Sequence, residues 1–382
     1  MHNSRDGLNR AAFIKRAGGA VFVLSGASGL MGLVGCGDDD DGGGGSSSDV
    51  SVTMFSWVGS GQDVTPAEIR DKYLADNPGV KIEMLQGTNA EMYPKIVASR
   101  QVDPNEPIVN FGFFNVSTII QGSVDDMWLR LDEQAIPNLA SVLPDYRLPE
   151  DKGVYFASSP IGLMYNKKIF EEKGFDPPTS WADLWKPEFK GRVALWDAPG
   201  WSYNGLVQTA KMNGGSETDM EAGFKIYEEA AKSGQIQSLY TTPTQVQQLL
   251  VSGAAWITPF LFSIMQPWVD EGAPLEYVVP SEGQIAFPFG FAMVTGTTAE
   301  QQKVASEVID MMLAPSHIQR WCELTYTVPL VEGISFDAER QKLPAYVPEN
   351  VENQILLDWQ SLAEKNDEWT KQWNTRVKAH LS

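Results

Sequence analysis

The sequence predicts an α/β protein with two lobes, each a mainly parallel sheet flanked by helices. Segments in which apolar and polar side chains alternate, as in strands, are separated by segments with helical spacing of the apolar residues. A β-α-β order at the start of the folded part is typical of parallel strands covered by helices. From about Asp49 to Ser382 the chain is long enough for two lobes rather than one compact core.

The first elements follow from local patterns. Residues 49–57 alternate apolar and polar side chains and predict the first strand, and residues 80–84 predict the second. Between them we expect a helix with Thr65 as N-cap and Pro66 at its first position. Glu68 would close a capping box with Thr65.

Two later helices are predicted by apolar residues at helical spacing. One runs from Ser216 to Ser233, with Gly234 in the position of a C-cap glycine. The other begins at Thr298 and ends before Pro315. We interpret their apolar stripes as core rather than as sites of chemistry.

The N-terminal region has the pattern of an export signal. Residues 1–35 begin with basic side chains and continue into a short apolar stretch rich in glycine and alanine. The run Leu-Val-Gly-Cys that ends at Cys36 resembles the bacterial lipobox, so we expect Cys36 to be lipidated and residues 36–48 to form a flexible tether. The alternative is a cleaved signal with an unrelated cysteine at its end. A twin-arginine-like motif has Ala11 in place of its second arginine, which leaves the export route open.

The composition excludes several partners. The chain has 29 basic and 49 acidic residues, a formal net charge of −20. Such acidity argues against binding to nucleic acid or to anionic membrane surfaces, so we expect membrane contact only through the lipid anchor. With Cys36 lipidated, Cys322 has no disulfide partner, and we interpret it as a buried small apolar residue.

Catalytic and metal-binding patterns are weak. The three histidines are His2 in the predicted signal, His317, and His380 near the end, and no pair has the spacing of metal ligands. A hydrolase triad would depend on His317, which no other feature supports. The sequence contains neither a Walker A loop nor a glycine-rich dinucleotide motif. We therefore expect no metal, no cofactor and no enzyme activity.

Aromatic side chains are the most informative class. Ligands of open α/β sheets bind at the carboxyl ends of strands, and rings collected there can stack on a ligand or hold a cation. Each ring taken singly is compatible with ordinary packing, but as a set we interpret them as cleft lining. The rings that fall at predicted strand ends or in loops are Trp57, Phe113, Phe114, Trp196, Trp201, Tyr203, Phe260, Phe262, Phe287 and Phe289.

A further helix is predicted to start at Pro243 with Thr242 as its cap. The unpaired backbone N–H groups at such a terminus can bind an anion or a carbonyl group. The equally acceptable interpretation is a capped helix without a ligand.

Two runs of sequence carry a resemblance to a known family. They are Ile161–Lys168 (IGLMYNKK) and Thr179–Leu195 (TSWADLWKPEFKGRVAL). The sequence resembles the spermidine/putrescine-binding group of periplasmic solute-binding proteins, which also includes binders of ferric iron, thiamine and phosphonates. Further fragments extend this resemblance over nearly all of the chain after the signal.

The resemblance implies the two-lobed periplasmic binding protein fold of type II, in which crossing strands join the lobes. It also implies a monomer that binds a small molecule between the lobes and presents it to the permease of an ABC importer. Such a protein would reside in the periplasm or on the outer face of the cytoplasmic membrane. The implied lobes are 49–158 plus 290–329 and 159–289 plus 330–382, with hinge crossings near 155–159, 287–290 and Pro329.

The resemblance also indicates which residues line the cleft. Positions at which polyamine binders carry acids are occupied here by Ala198, Trp201 and Phe289, while Asp197 lies beside the family's acidic positions. Burying ammonium groups without partners is costly, so a less charged ligand or a single boxed cation fits better than a polycation. The predicted ligand-binding residues are Trp57, Phe114, Asn115, Asp197, Trp201, Tyr203, Phe262, Phe287 and Phe289.

Three hypotheses of function follow. The first is the binding protein of an ABC importer, with a polyamine-like or other organic nitrogen compound as ligand. The second is an enzyme with the same architecture, against which the missing catalytic constellation counts. The third is a lipoprotein that reports a ligand to a membrane receptor.

Overall fold

A computed structural model describes residues 50–59, 61–197 and 205–381. The predicted signal, the tether and the lipid site Cys36 lie outside the described residues. Trp201 and Tyr203, two of the predicted ligand-binding residues, also lie outside them.

Twelve strands form in the described part of the chain. The first two lie where the sequence predicts them. The strands are β1 Val50–Ser56, β2 Val80–Gln86, β3 Phe111–Asn115, β4 Trp128–Leu129, β5 Val154–Ser158, β6 Ile161–Asn166, β7 Val193–Trp196, β8 Ile236–Tyr240, β9 Ile257–Leu261, β10 Leu275–Val278, β11 Pro288–Val294 and β12 Val328–Pro329.

Thirteen α-helices accompany these strands within the described ranges. No helix there is long and apolar enough to cross a membrane. The helices are α1 Val64–Asp76, α2 Asn89–Val102, α3 Val116–Val124, α4 Lys167–Lys173, α5 Leu206–Met212, α6 Glu221–Ser233, α7 Pro243–Val251, α8 Phe262–Asp270, α9 Ala299–Leu313, α10 Pro315–Thr325, α11 Pro348–Glu352, α12 Trp359–Glu364 and α13 Asn366–Arg376.

The strands form two separate sheets flanked by helices. The first has the order β12-β5-β11-β3-β1-β2, with β4 paired to β11, and the second has the order β10-β6-β9-β7-β8. The two-lobed α/β architecture predicted from the sequence is therefore confirmed.

Both sheets are mixed rather than mainly parallel. Strand β1 runs parallel to β2 and β3, and β7 runs parallel to β8 and β9. By contrast, β11 is antiparallel to β3 and β5, and β6 is antiparallel to β9 and β10. Parallel neighbours need a crossover helix, whereas β6 and β11 enter their sheets directly from the other sheet and pair antiparallel.

The chain crosses between the sheets at closely paired segments. It leaves the first sheet through Ser159 between β5 and β6, and it returns between β10 and β11. The Ser159 N–H donates to the Phe287 carbonyl at 3.0 Å, and Ile161 and Ile285 exchange backbone hydrogen bonds of 2.8 and 2.9 Å. These bonds hold the two crossings side by side at two of the positions predicted for hinge segments, and we call this pair of crossings the hinge.

The C-terminal segment contacts elements beside both sheets. Helix α12 packs on α3, which flanks the first sheet, whereas α13 packs on α6, which flanks the second. The lobe boundaries stay a proposal. The sequence analysis assigned residues 330–382 to one lobe, whereas the described part of this segment contacts helices beside both sheets.

Two predicted helix caps are confirmed. Capping boxes form between Thr242 and Gln245 and between Thr298 and Gln301. Thr242 therefore has the capping role, and it does not line the cavity described below.

Two predicted helix starts were wrong. Helix α1 begins at Val64, and the side chain of Thr65 is buried without a hydrogen-bond partner instead of capping the helix. Helix α6 begins at Glu221 rather than Ser216, because Ser216 and Asp219 exchange backbone hydrogen bonds in a tight turn. Its predicted end is confirmed, since Gly234 is the C-cap with φ of 74°.

Cys322 is fully buried in α10, as predicted. Burial raises the pKa of its thiol to about 12, so the side chain stays protonated and unreactive at neutral pH.

An ion-pair network joins α13 to α6 and provides a pH prediction. Hydrogen bonds from Lys232 and Arg376 lower the pKa of Glu228 from its ordinary 4.5 to about 2. A carboxylate with a depressed pKa stabilises the fold above its unfolded-state pKa, and this contribution is lost as the pH falls towards 2. We expect the free energy of unfolding in urea to be larger for the native protein than for Glu228→Gln at pH 6. This difference should shrink as the pH falls from 4.5 to 2. An advantage that does not change with pH would contradict this assignment.

Candidate functional site

A cavity of about 520 Å³ lies where the two sheets approach each other at the crossing segments. The first sheet contributes residues at or just after the ends of β1, β2 and β3, and the second contributes residues at or just after the ends of β7 and β9. These are carboxyl ends of parallel strands, where open α/β sheets bind ligands. The cavity is lined by Trp57, Val58, Gln62, Gly87, Thr88, Asn89, Glu91, Asn115, Ser159, Trp196, Leu261, Ser263, Ile264, Phe287 and Phe289.

Part of the cavity lining consists of aromatic rings. We call Trp57, Trp196, Phe287 and Phe289 the aromatic wall. Trp57 meets Phe289 edge to face at 5.1 Å between ring centroids, and Phe289 meets Phe287 at 5.8 Å. Trp196 enters from the second sheet, where it packs against Tyr240 at 5.3 Å. Rings from both sheets can therefore contact the same flat or cationic solute.

Another part of the cavity lining consists of polar groups at helix N-termini. Thr88 caps α2 and Asn115 caps α3, each with its side-chain oxygen accepting a backbone N–H. Asn89 is the first residue of α2, and its Oδ1 accepts the Asn115 N–H at 3.0 Å. The positive ends of two helices thus face this part of the cavity.

A hydroxyl pair lies at the hinge. Ser159 in the crossing segment and Ser263 in α8 are buried, and their Oγ atoms are 2.6 Å apart. The contact joins the hinge to the second sheet at the cavity surface.

The cavity has little charge. Glu91 carries the one charged side chain among the described lining residues. Hydrogen bonds from the Thr88 backbone and hydroxyl lower the pKa of Glu91, so it is ionised at neutral pH.

The structure brings together four of the predicted ligand-binding residues. Trp57, Asn115, Phe287 and Phe289 all line the cavity. Their contact with a solute stays a prediction.

Three predicted residues do not line the cavity. Phe114 is fully buried on the other face of β3, against Phe55 and Trp128. Phe262 is the first residue of α8, and its ring packs against Tyr277 of the second sheet and against Tyr326 and Tyr346. Asp197 is engaged elsewhere, because its carboxylate accepts hydrogen bonds from Trp373 Nε1 at 2.8 Å and from Lys378.

Sequence reasoning missed most of the polar lining. Gln62, Thr88, Asn89 and Glu91 belong to loop and helix starts whose nearness to β3 is set by the sheet order. The capping-box pattern at Thr88 and Glu91 could have located the start of α2 directly after β2. Together with the rule for strand ends, that start would have placed Asn89 at the site.

The chain belongs to the bacterial extracellular solute-binding protein family, whose family model matches residues 68–348. This family match defines the class of the protein as a solute-binding protein, and the two helix-flanked sheets with the cavity lined by residues of both agree with that class.

Individual relatives are distant in sequence and alike in fold. The chain is 24% identical over 270 residues to spermidine/putrescine-binding periplasmic protein 1 of Haemophilus influenzae, covering 69% of this chain and 70% of that protein. An ABC transporter substrate-binding protein from Bradyrhizobium japonicum is 21% identical with a TM-score of 0.69, covering 87% of this chain and 100% of that one. The spermidine/putrescine substrate-binding protein PotD from Streptococcus pneumoniae is 16% identical with a TM-score of 0.66, covering 84% and 99%.

Proposed function

We propose that the protein is the extracytoplasmic solute-binding component of an ABC importer. It captures a small organic nitrogen compound in the interlobe cavity and delivers it to the permease. The observation that carries the proposal is a cavity at the hinge whose rings come from both sheets, Trp57 and Phe289 from the first and Trp196 from the second.

Capture and delivery follow from this placement. A solute that touches residues of both lobes gains its full set of contacts only when the lobes are closed around it, so it shifts the population towards the closed form. Closure about the crossings at Ser159 and Phe287 changes the relative position of the outer surfaces, which a permease can distinguish.

The proposed ligand class is supported by the chemistry of the cavity and by sequence similarity to a named binding protein. The relative from Haemophilus influenzae is named for spermidine and putrescine, and the aromatic wall suits a cationic nitrogen. Among the other ligands of the group, ferric iron is the least compatible. The described lining residues include one carboxylate and no tyrosine, whereas ferric iron prefers several hard oxygen ligands.

The location proposed for the protein is the periplasm or the outer face of the cytoplasmic membrane, with Cys36 as lipid anchor and a monomer as the working form. Intact-mass measurement of the protein from membranes would detect the acylated Cys36.

A ligand-sensing lipoprotein is the second candidate, since the same closure could be recognised by a receptor. Reconstitution with a permease and ATPase would separate the two, because only the importer component supports solute uptake.

A thermal-shift screen tests the ligand proposal. The panel contains polyamines, monoamines, quaternary amines, amino acids, aminophosphonates, thiamine and ferric chelates. A true ligand at one hundred times its Kd stabilises the folded state by about 2.7 kcal/mol, which gives a clear rise in melting temperature. We expect at least one organic nitrogen compound to produce that rise, with titration calorimetry confirming one site. A rise with ferric chelates alone, or with no compound, would contradict the proposal.

A further inference from the structure

Two asparagines in the cavity have amide orientations fixed by the backbone. Asn89 Oδ1 accepts the Asn115 N–H at 3.0 Å, and Asn115 Oδ1 accepts the Thr118 N–H at 2.9 Å. A backbone N–H can only donate, so in both side chains the oxygen must be the engaged end. The NH₂ groups are therefore the ends left for another partner. We call Asn89 and Asn115 the carboxamide pair.

The donor of Asn89 has no partner in the described structure. The residue is 7% exposed and forms part of the cavity wall, and its Nδ2 is buried without a hydrogen bond. A buried donor without an acceptor is unfavourable and uncommon in folded proteins. An acceptor supplied from the cavity would remove this cost.

The helices reinforce the preference for an acceptor. Asn89 is the first residue of the 14-residue helix α2, and Asn115 is the N-cap of the nine-residue helix α3. Both N-termini carry partial positive charge, which favours oxygen atoms with negative charge over ammonium groups.

We infer that the solute carries a carboxylate oxygen that accepts hydrogen bonds from the carboxamide pair. This inference rests on the proposed function and narrows its ligand class. A diamine or polyamine that is protonated at each nitrogen has only donors to offer and cannot satisfy Asn89 Nδ2. Glu91, ionised at the cavity surface, disfavours a purely anionic solute. The matching solute is a zwitterion, with its ammonium group towards Glu91 and the aromatic wall.

Matched probes test this inference directly. Putrescine and 4-aminobutanoate differ by exchange of one ammonium-bearing end for a carboxylate, and cadaverine and 5-aminopentanoate form a second pair. We expect calorimetry on the full-length protein to show the amino acid of each pair binding at least about fivefold more tightly than the diamine, the value of one good hydrogen bond.

The variant Asn115→Asp removes the NH₂ donor and keeps an oxygen to cap α3. This variant should weaken amino-acid binding by about fivefold or more, because the new carboxylate repels the carboxylate of the amino acid. It should strengthen diamine binding, because the same group attracts an ammonium group. Asn115→Ser also preserves a capping oxygen without adding charge, and it should weaken only the amino acid. Asn105→Asp makes the same charge change at an exposed loop site and should leave both affinities unchanged.

Two outcomes overturn the inference. If the diamines bind more tightly than the amino acids, and Asn115→Asp or Asn115→Ser leaves amino-acid binding unchanged, the carboxylate assignment is wrong while the proposed function stands. If none of the four probes binds, the inference is also wrong, and the broader thermal-shift screen then decides separately whether the proposed function survives.

Discussion

Replacement of Trp321 by alanine is expected to lower the free energy of unfolding by about 3–5 kcal/mol, the usual cost of removing a buried aromatic side chain. Trp321 lies in α10 and is 1% exposed. Its indole stacks on Phe113 at 5.1 Å with an interplanar angle of 8°, and it meets Phe156 edge to face at 5.4 Å. It also packs behind Trp57 at 6.5 Å, so the cavity wall loses its support together with the core.

Urea unfolding followed by circular dichroism measures this effect, with Trp321→Phe as the matched control. Phenylalanine keeps a ring over Phe113 and removes the indole N–H, which is buried without a hydrogen-bond partner. The control should therefore cost less than half as much as alanine. A loss below about 1 kcal/mol for Trp321→Ala would show that the site collapses around the deletion and that Trp321 is not a central core residue.

The sequence predicted those parts of the fold that depend on neighbours along the chain. The strand at 80–84, the C-cap Gly234 and the capping boxes at Thr242 and Thr298 each rest on residues within a few positions. The prediction of the start of α1 was wrong because this start depends on packing against distant parts of the chain. Thr65 has the pattern of a cap, but tertiary packing turns its side chain into the core.

The site was predicted less completely because its walls are assembled from distant segments. Asp197 was assigned to the ligand because it lies beside the acidic positions of the polyamine binders that the sequence resembles, yet its partners Trp373 and Lys378 lie 176 and 181 residues further along the chain. Phe114 and Asn115 were both assigned from the resemblance, although the two are adjacent in the chain. Adjacent residues of a strand face opposite sides of the sheet, and which side faces the cavity is decided by the neighbouring strands.

The same alternation of faces supplies the controls for a binding experiment. Residues of β3 and β11 are paired so that Phe289 stands opposite Asn115, and Gly290 stands opposite Phe114. Phe289 therefore lies on the cavity side, and Phe114 lies on the far side of the same sheet. Both rings are buried, so equivalent substitutions at the two positions perturb the core to a similar extent.

Phe289→Leu is expected to weaken binding of the solute found in the thermal-shift screen by roughly tenfold to thirtyfold. A ring face in a desolvated site contributes up to about 2 kcal/mol to holding a cation, and leucine keeps the apolar volume without that face. The stability cost should stay below about 1.5 kcal/mol because leucine refills much of the space. Titration calorimetry measures the affinity, and urea unfolding measures the stability.

Phe114→Leu is the matched control, with a similar stability cost and no change in affinity. The comparison separates contact with the solute from general loosening of the first sheet, since loosening would weaken binding in both variants. Equal losses of affinity in the two variants would place Phe289 in the core rather than at the site. A loss confined to Phe289→Leu would show that the aromatic wall acts by direct contact with the solute, as the edge-to-face packing of Phe289 on Trp57 positions it to do.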